Sequence, residues 1–297
     1  MSLLNTQNDG LPNVFVVLCQ SLNDVRGGLG EETLIARLEP PGLSKNQAKL
    51  STTLRRWTEL GVFGERNGRY TITEEYRPVL KQDEVISVPH IRAIARKAVF
   101  ASENNKRFWE AEESKAADLT RSLAWLLAQD VYTLDWKTLP QLESDQLTLE
   151  QARFARNDTR LNGLKMWARF LGFLWTDGSE PAVDPTLAIR DILFDFLPKG
   201  EELAVGKLVE LLANCLPVLD TGLYRRDVEA HLDQRYYRQP PEGTLSKSLS
   251  RALYRLRREG AIAFVSKSDA GSGIKLTGPD AARRTDTVTH VSRGAGA

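Results

Sequence analysis

The sequence holds little of what most protein chemistry requires. Its 297 residues contain two cysteines, Cys19 and Cys215, and three histidines, His90, His231 and His290. Two thiols, each in a strongly apolar stretch, make no disulfide scaffold; they read as buried free thiols suited to a reducing cytoplasm. The histidines are far apart, and neither an HExxH pattern nor a cysteine pair at zinc spacing occurs. No GxxxxGKS/T phosphate loop and no GxGxxG fingerprint is present. Gly27, Gly28 and Gly30, in RGGLGEE, follow a predicted helix without a nearby Lys-Ser or Lys-Thr, so a turn is their reading. Glu31-Glu32 and Glu112-Glu113 are neighbours that point in different directions on a helix and make a poor metal clamp. These absences argue against an enzyme, a cofactor or a metal, leaving scattered acids that could converge in the fold as the remaining route to a hydrolase.

Long apolar runs are missing too. The longest, such as Val14 to Cys19, fall far short of the roughly 20 residues of a spanning helix. The opening residues also lack the positive region of a secretory signal. The expectation is a cytoplasmic protein without a membrane partner. A dominant charge is absent as well: 40 Lys and Arg against 39 Asp and Glu leave a net charge of +1. Any nucleic-acid surface must therefore come from local segregation of charge.

What is present is a globular balance, 41% hydrophobic against 27% charged, in a chain long enough for two or three domains. Residues 10–80 read as an N-terminal module. Asn13 can cap a helix through Val14, Leu18 and Leu22, and a short second helix carries Leu34, Ile35 and Leu38 before Pro40-Pro41-Gly42. Ser44 opens a third helix with Leu50, Leu54, Trp57 and Leu60 on one face and Lys45, Lys49, Thr52 or Thr53, and Arg56 on the other. Gly61 ends it, and Asn67-Gly68 in VFGERNGRYTI is a strong hairpin signal.

A second module is expected over residues 195–278. Leu203 to Leu219 and Tyr224 to Leu232 read as helices, and RQPPEG breaks the pattern. Thr244 or Ser246 can then cap a helix with Leu245, Leu249, Leu253 and Leu256 on one face and Lys247, Arg251, Arg255 and Arg258 on the other. GAIAFVSK, a glycine-rich loop and IKLTG read as strand, loop, strand. From residue 221 onward fourteen Lys and Arg face eight Asp and Glu, which makes this module the better DNA candidate. The alternative for its arginines is a solvated face whose aliphatic stems cover the core.

The middle, residues 88–190, reads as helical, with Ile91, Ile94, Ala95 and Ala98 in one helix and Leu119, Leu123, Leu126 and Leu127 in another. Trp109, Trp125, Trp136, Trp167 and Trp175 fall here, as interhelical core or as an interface. LNGLKMWARFLGFLWTDG repeats the helix–glycine–strand frame, so a third, degenerate module is a candidate over 115–190. Arg160, Lys165 and Arg169 make its outward face less basic, and Glu143, Asp145 and Glu150 precede it. Residues 279–297, which include Arg283 and Arg284, read as a flexible tail.

The fold class expected is thus mainly α with short β wings. SKNQAKLSTTLRRWTELGVFGERNGRYTI, Ser44 to Ile72, resembles the winged-helix family. The resemblance implies two such modules, or three with the degenerate middle copy. By position it implies that Lys45, Lys49, Thr52 and Arg56 face the DNA major groove and that Arg66 and Arg69 are wing contacts. Lys247, Arg251, Arg255 and Arg258 are the corresponding DNA-binding set in the second module.

The overall layout and the opening MSLLNTQNDGLP resemble the G component of the bacterial 7-deazapurine DNA-modification (Dpd) system. That resemblance implies a non-catalytic accessory subunit beside DNA-modification, restriction or defence proteins. It would have double-stranded DNA of low sequence specificity, other protein subunits and its own copies as partners. Two alternatives stay open: a protein-interaction scaffold built on the same modules, and a dimeric transcription regulator.

Overall fold

A computed structural model describes residues 2–5, 10–25, 27–38, 47–77, 86–110, 114–178, 180–267, 273–279 and 285–294. Lys45, the cap expected at Ser44, the stop at Pro40-Pro41-Gly42, Glu112-Glu113 and Arg283-Arg284 lie outside them.

The first half runs α1 (Pro12–Asn23), β1 (Leu29–Gly30), α2 (Glu31–Leu38), α3 (Gln47–Glu59), β2 (Phe63–Arg66), β3 (Arg69–Ile72), α4 (Val88–Phe100), α5 (Ala117–Ala128) and α6 (Leu139–Gln146). It continues through α7 (Asp158–Leu171), β4 (Leu174–Trp175), β5 (Ala182–Val183), α8 (Thr186–Phe196), β6 (Glu202–Ala204), α9 (Val205–Cys215) and α10 (Leu223–Ala230). The chain ends in α11 (Lys247–Arg258), β7 (Ile262–Val265), β8 (Ile274–Thr277), β9 (Thr285–Val288) and β10 (His290–Arg293). Residues 1–119 with 157–171 form one compact unit, and 120–156 with 172–297 form a second. The stretch 88–190 is divided between them.

In the first unit three helices and a three-stranded antiparallel sheet, ordered β1-β3-β2, enclose an aromatic core. The apolar row of α3 is buried as its spacing requires: Leu50, Leu54, Trp57 and Leu60 are each at most 2% exposed. Phe15 of α1 stacks on Trp57 at 3.7 Å, and Trp167 of α7 meets Trp57 at 5.4 Å. Burying each of these rings is worth about 1.5–3 kcal/mol. Helix α1 starts two residues earlier than an Asn13 cap would place it, with Pro12 in the first turn. Proline there loses no hydrogen bond that the helix could have used. Asn67 and Gly68 both take positive φ, 53° and 72°, so the β2–β3 hairpin has the turn that the dipeptide favours.

The opening residues are part of this core. Leu3 and Leu4 are 1% exposed, the Leu4 N–H donates to the buried Asp118 carboxylate at 2.9 Å, and the Ser2 and Ser114 hydroxyls share a bond of 2.7 Å. Trp57 Nε1 donates to the Gly10 carbonyl at 3.1 Å. Arg160, expected on an outward face of the middle region, is 9% exposed and sits 3.6 Å from Asp118.

The second unit contains another three-stranded antiparallel sheet, ordered β6-β10-β7, and a separate pair, β8-β9. Both three-stranded sheets place the last strand of the series in the centre. Helix α8, β6, α9, α11, β7 and β10 thus follow the same sequence of element types as α1, β1, α2, α3, β2 and β3, with α10 and the β8–β9 pair inserted. The expected strand–loop–strand closure is corrected here: β8 pairs with β9, and the partner of β7 is β10. Both β9 and β10 come from the segment read as a flexible tail, and Val288 and Val291 are buried in it.

Ser246 caps α11, accepting from the Leu249 N–H at 3.2 Å, and Leu245, Leu249, Leu253 and Leu256 are buried as expected. Asp220 accepts from both the Ser246 N–H (2.6 Å) and its hydroxyl (2.5 Å), while the buried Arg225 lies against Asp220 and donates to Glu229 at 2.6 Å. Glu143, expected in an acidic surface stretch, is 1% exposed and accepts the backbone N–H groups of Phe154 and Ala155 at 2.7 and 2.9 Å. Cys19 is buried, whereas Cys215 is exposed, which corrects the pairing of the two as buried thiols.

Two measurements follow from these placements. Burial pushes the Cys19 thiol well above its usual range, so maleimide at neutral pH should label Cys215 alone, and both thiols only in denaturant. Two labelled thiols in the native protein would contradict the packing of α1.

Burial outweighs the two N–H donors and the nearby Arg121 and Arg153 to push Glu143 up to about 7. A folded-state value above the unfolded ~4.3 gives stability that is fully present below ~4.3 and is lost as pH rises through 7. Between pH 5 and 8 the melting temperature of Glu143→Gln should therefore fall less than that of the wild type. Parallel curves would show that this carboxyl does not carry the proton.

Candidate nucleic-acid interface

The first expected DNA-binding face belongs to α3 and the β2–β3 hairpin. Helical spacing turns Ala48, Thr52, Arg55 and Glu59 toward the outside; Lys49 and Thr52 are half-buried, and Arg55 and Glu59 are exposed. Arg56 does not join them. It is 4% exposed and donates from Nη1 to Glu59 at 2.8 Å, with its aliphatic stem beside Gly10. The assignment of Arg56 to the outward face is corrected to Arg55, because the apolar stripe of α3 is wide enough to include Thr53 and Arg56. It widens because the opening segment packs on it, and that segment has no periodicity that a sequence reading could use.

On the hairpin, Arg66 and Arg69 flank the Asn67-Gly68 turn in register and both are exposed. Arg69 donates from Nε and Nη2 to the carbonyls of Gly27 and Gly28 at 2.9 and 2.7 Å. Its guanidinium thus ties the hairpin to the loop after α1, while Arg66 stands at the hairpin end.

The second face belongs to α11, whose basic row does not project freely. Lys247 forms an ion pair with Asp130. Arg251 donates to the Val131 carbonyl at 3.3 Å and lies 3.5 Å from Asp184, and Arg255 forms a close ion pair with the same Asp184 carboxylate. Asp184 itself is 2% exposed. Three members of the expected row are thereby fixed by acids and a carbonyl of the same unit. Arg258, the fourth, is exposed.

These contacts shape an open cleft of about 560 Å³, lined by Tyr132, Trp175, Arg251, Tyr254, Arg255, Arg257 and Arg258. Four guanidiniums and three aromatic rings meet there, with no carboxylate among the described lining residues. The Arg255 guanidinium lies 5.2 Å from the Trp175 ring centre, and Arg251 lies 5.3 Å from that of Tyr132. Arg257 sits 4.8 Å from the Phe264 ring and 3.3 Å from Asp286. Burial raises the Tyr132 hydroxyl, with Arg251 opposing and Asp184 and Asp130 adding to the shift, so this phenol stays protonated near neutral pH.

Trp175 is 44% exposed, an unusual position for a tryptophan. By contrast Trp57, Trp125 and Trp167 are fully buried and Trp136 is 7% exposed. Sequence reasoning found Arg251, Arg255 and Arg258 but missed Arg257, Tyr254, Tyr132 and Trp175. Arg257 falls off the basic row, whereas Tyr254 lies on it, four residues before Arg258 and seven after Lys247, but carries no charge to mark it. Tyr132 and Trp175 come from segments distant in sequence; Trp175 ends the apolar run FLGFLW, where it reads as core or interface, and nothing local sets either ring beside α11.

The arrangement can hold anions and planar groups. Among the described residues no group of three or more His, Cys, Asp or Glu side chains is placed to hold a metal ion. Nor is any described helix long and apolar enough to cross a membrane.

No curated protein and no solved structure matches the chain. A family model described as DpdG-like matches residues 1–270, which include all of α1 to α11 and the α11 cleft. The chain belongs to the DpdG-like family.

Proposed function

We propose that this protein is a non-catalytic DNA-binding accessory subunit of a DNA-modification, restriction or defence complex. The observation that carries the reading is the α11 cleft, where four arginines and three aromatic rings converge with no carboxylate among the described lining residues. Arg–aromatic surfaces of this kind suit phosphate and base together.

Two further features support it. The order helix, strand, helix, helix, strand, strand, with the last strand central in the sheet, supports a winged helix-turn-helix reading; the first unit follows it directly and the second with α10 and the β8–β9 pair inserted. In such folds the helix before the hairpin and the hairpin itself approach DNA. Here those elements present Lys49, Thr52, Arg55 and Arg66 in the first unit and Arg257 and Arg258 in the second. Arg69, Lys247, Arg251 and Arg255 serve first as internal ties. Membership of the DpdG-like family agrees with a role beside DNA-modifying proteins. Low sequence specificity is expected where the outward charges meet phosphates, contacts that carry no sequence information.

A second reading, a docking scaffold for other subunits, draws on a groove of about 660 Å³ in the first unit. It is lined by Pro12, Asn13, Val16, Arg92, Met166, Arg169 and Phe170. Its mostly apolar lining fits a protein partner better than a phosphate chain. DNA binding and subunit docking are compatible in one accessory protein.

Fluorescence anisotropy of a random 30-base-pair duplex, at about 50 and about 200 mM salt, tests the proposal. Binding should weaken steeply with salt. The double variant Arg66→Ala/Arg258→Ala should bind more weakly and flatten the log–log salt slope by about 0.9 for each phosphate that is no longer neutralised. These two positions are chosen because neither is an internal tie of the fold. A duplex that does not bind at the lower salt would sink the reading of double-stranded DNA as the partner, and failure of single-stranded DNA as well would leave the scaffold.

A further inference from the structure

We propose that the α11 cleft takes an unpaired nucleotide of a DNA strand, its base stacked on aromatic rings and its phosphates held by Arg257 and Arg258. The inference rests on the DNA-binding reading above and gives it a substrate class. Its argument starts from what a duplex offers. In paired DNA the base faces are covered by their stacking neighbours, so a protein meets phosphates, sugars and base edges. Such a surface needs cations and hydrogen-bond donors and makes no use of an aromatic face.

The cleft supplies both. Trp175 is 44% exposed, and Tyr132 and Tyr254 stand half-buried in the same lining. An exposed tryptophan loses favourable burial unless something covers it. The arginines hold it in place: Arg255 lies beside the Trp175 ring and Arg251 beside that of Tyr132, while Asp184 fixes both guanidiniums from behind. Rings held in this way do not have to be ordered on binding, which lowers the entropic cost of stacking a base. Arg257 and Arg258 are the two exposed guanidiniums of the lining. Arg257 carries Asp286 as a partner at 3.3 Å, an exposed pair that a phosphate can displace.

The size agrees. About 560 Å³ lies within the ~300–1,000 Å³ range of small-molecule sites and suits a nucleotide or two. An inorganic anion alone would leave most of that space and all three rings unused. A duplex can offer its phosphates to the outward Arg257 and Arg258 but not a base face to the rings, since its bases are covered by their stacking neighbours.

The test compares the full-length protein, wild type and variants, on a fluorescein-labelled 12-mer of oligodeoxythymidylate and on a 12-base-pair duplex at the same salt. Trp175→Leu keeps apolar bulk and removes the stacking face; Trp175→Phe restores a ring. The wild type should bind the single strand more tightly than the duplex. Trp175→Leu should weaken the single strand about tenfold, within the range of one base–aromatic stack removed, and Trp175→Phe should recover most of it. Duplex affinity should change less than twofold in both variants. Arg258→Ala should weaken the single strand and reduce its salt slope.

Three results overturn the proposal while leaving DNA binding intact. They are a Trp175→Leu effect absent on the single strand, an effect equal on both DNAs, and a single strand bound no better than the duplex. Displacement of the oligonucleotide by a phosphotyrosine peptide at lower concentration than by unlabelled oligonucleotide would reassign the cleft to a protein ligand. Failure of both DNAs to bind would remove the underlying reading as well.

Discussion

The buried carboxylate of Asp184 determines what the second unit can present. It accepts the Thr186 N–H at 3.0 Å and the Thr186 hydroxyl, which seats the start of α8, and it pairs with Arg251 and Arg255 across from α11. A buried anion without cations would carry a large desolvation cost, and two guanidiniums offset it. The same contacts remove those guanidiniums from the pool of free phosphate ligands. They become the rigid backing of a cleft, with Arg257 and Arg258 left as the outward charges. A helix with a uniform basic row is thereby converted into one with a tied row and an adjoining Arg–aromatic pocket.

The first unit shows a parallel conversion by packing rather than by charge. Trp57 is covered by Phe15 on one side and meets Trp167 on another, and its indole N–H is satisfied by the Gly10 carbonyl. Holding that carbonyl requires the opening segment to lie on α3, where it also covers the stem of Arg56. The residues of MSLLNTQNDGLP whose side chains are described, Ser2, Leu3 and Leu4 among them, are therefore structural. Its leucines fill a core, and its Ser2 and Leu4 bonds lock it to Ser114 and Asp118.

The sequence resemblance to winged helices rested on one segment, Ser44 to Ile72, and the hairpin within it forms where Asn67-Gly68 places it. In the second unit α11 and its Ser246 cap were legible, since both are local: an apolar row at helical spacing and a serine one residue before it. The sheet was not. Strand β10 has four residues with one buried, Val291, too little for a period-2 pattern, and its place between β6 and β7 depends on partners about 25 and 90 residues away in sequence. The tail reading failed for that reason.

By itself the sequence determined the helix-rich class with short hairpins, the positions of α3 and α11, the buried leucine and tryptophan rows, and the absence of the familiar catalytic spacings. Each follows from periodicity or from turn chemistry within a few residues. Only the tertiary structure decided which charges face outward. Lys247 meets Asp130 across 117 residues, and Arg255 meets Asp184 across 71. Arg56 turns inward under a segment 46 residues before it. Helical spacing defines the direction a side chain takes from its own axis, but what lies in that direction depends on how distant segments pack, and neither amphipathicity nor net charge encodes it.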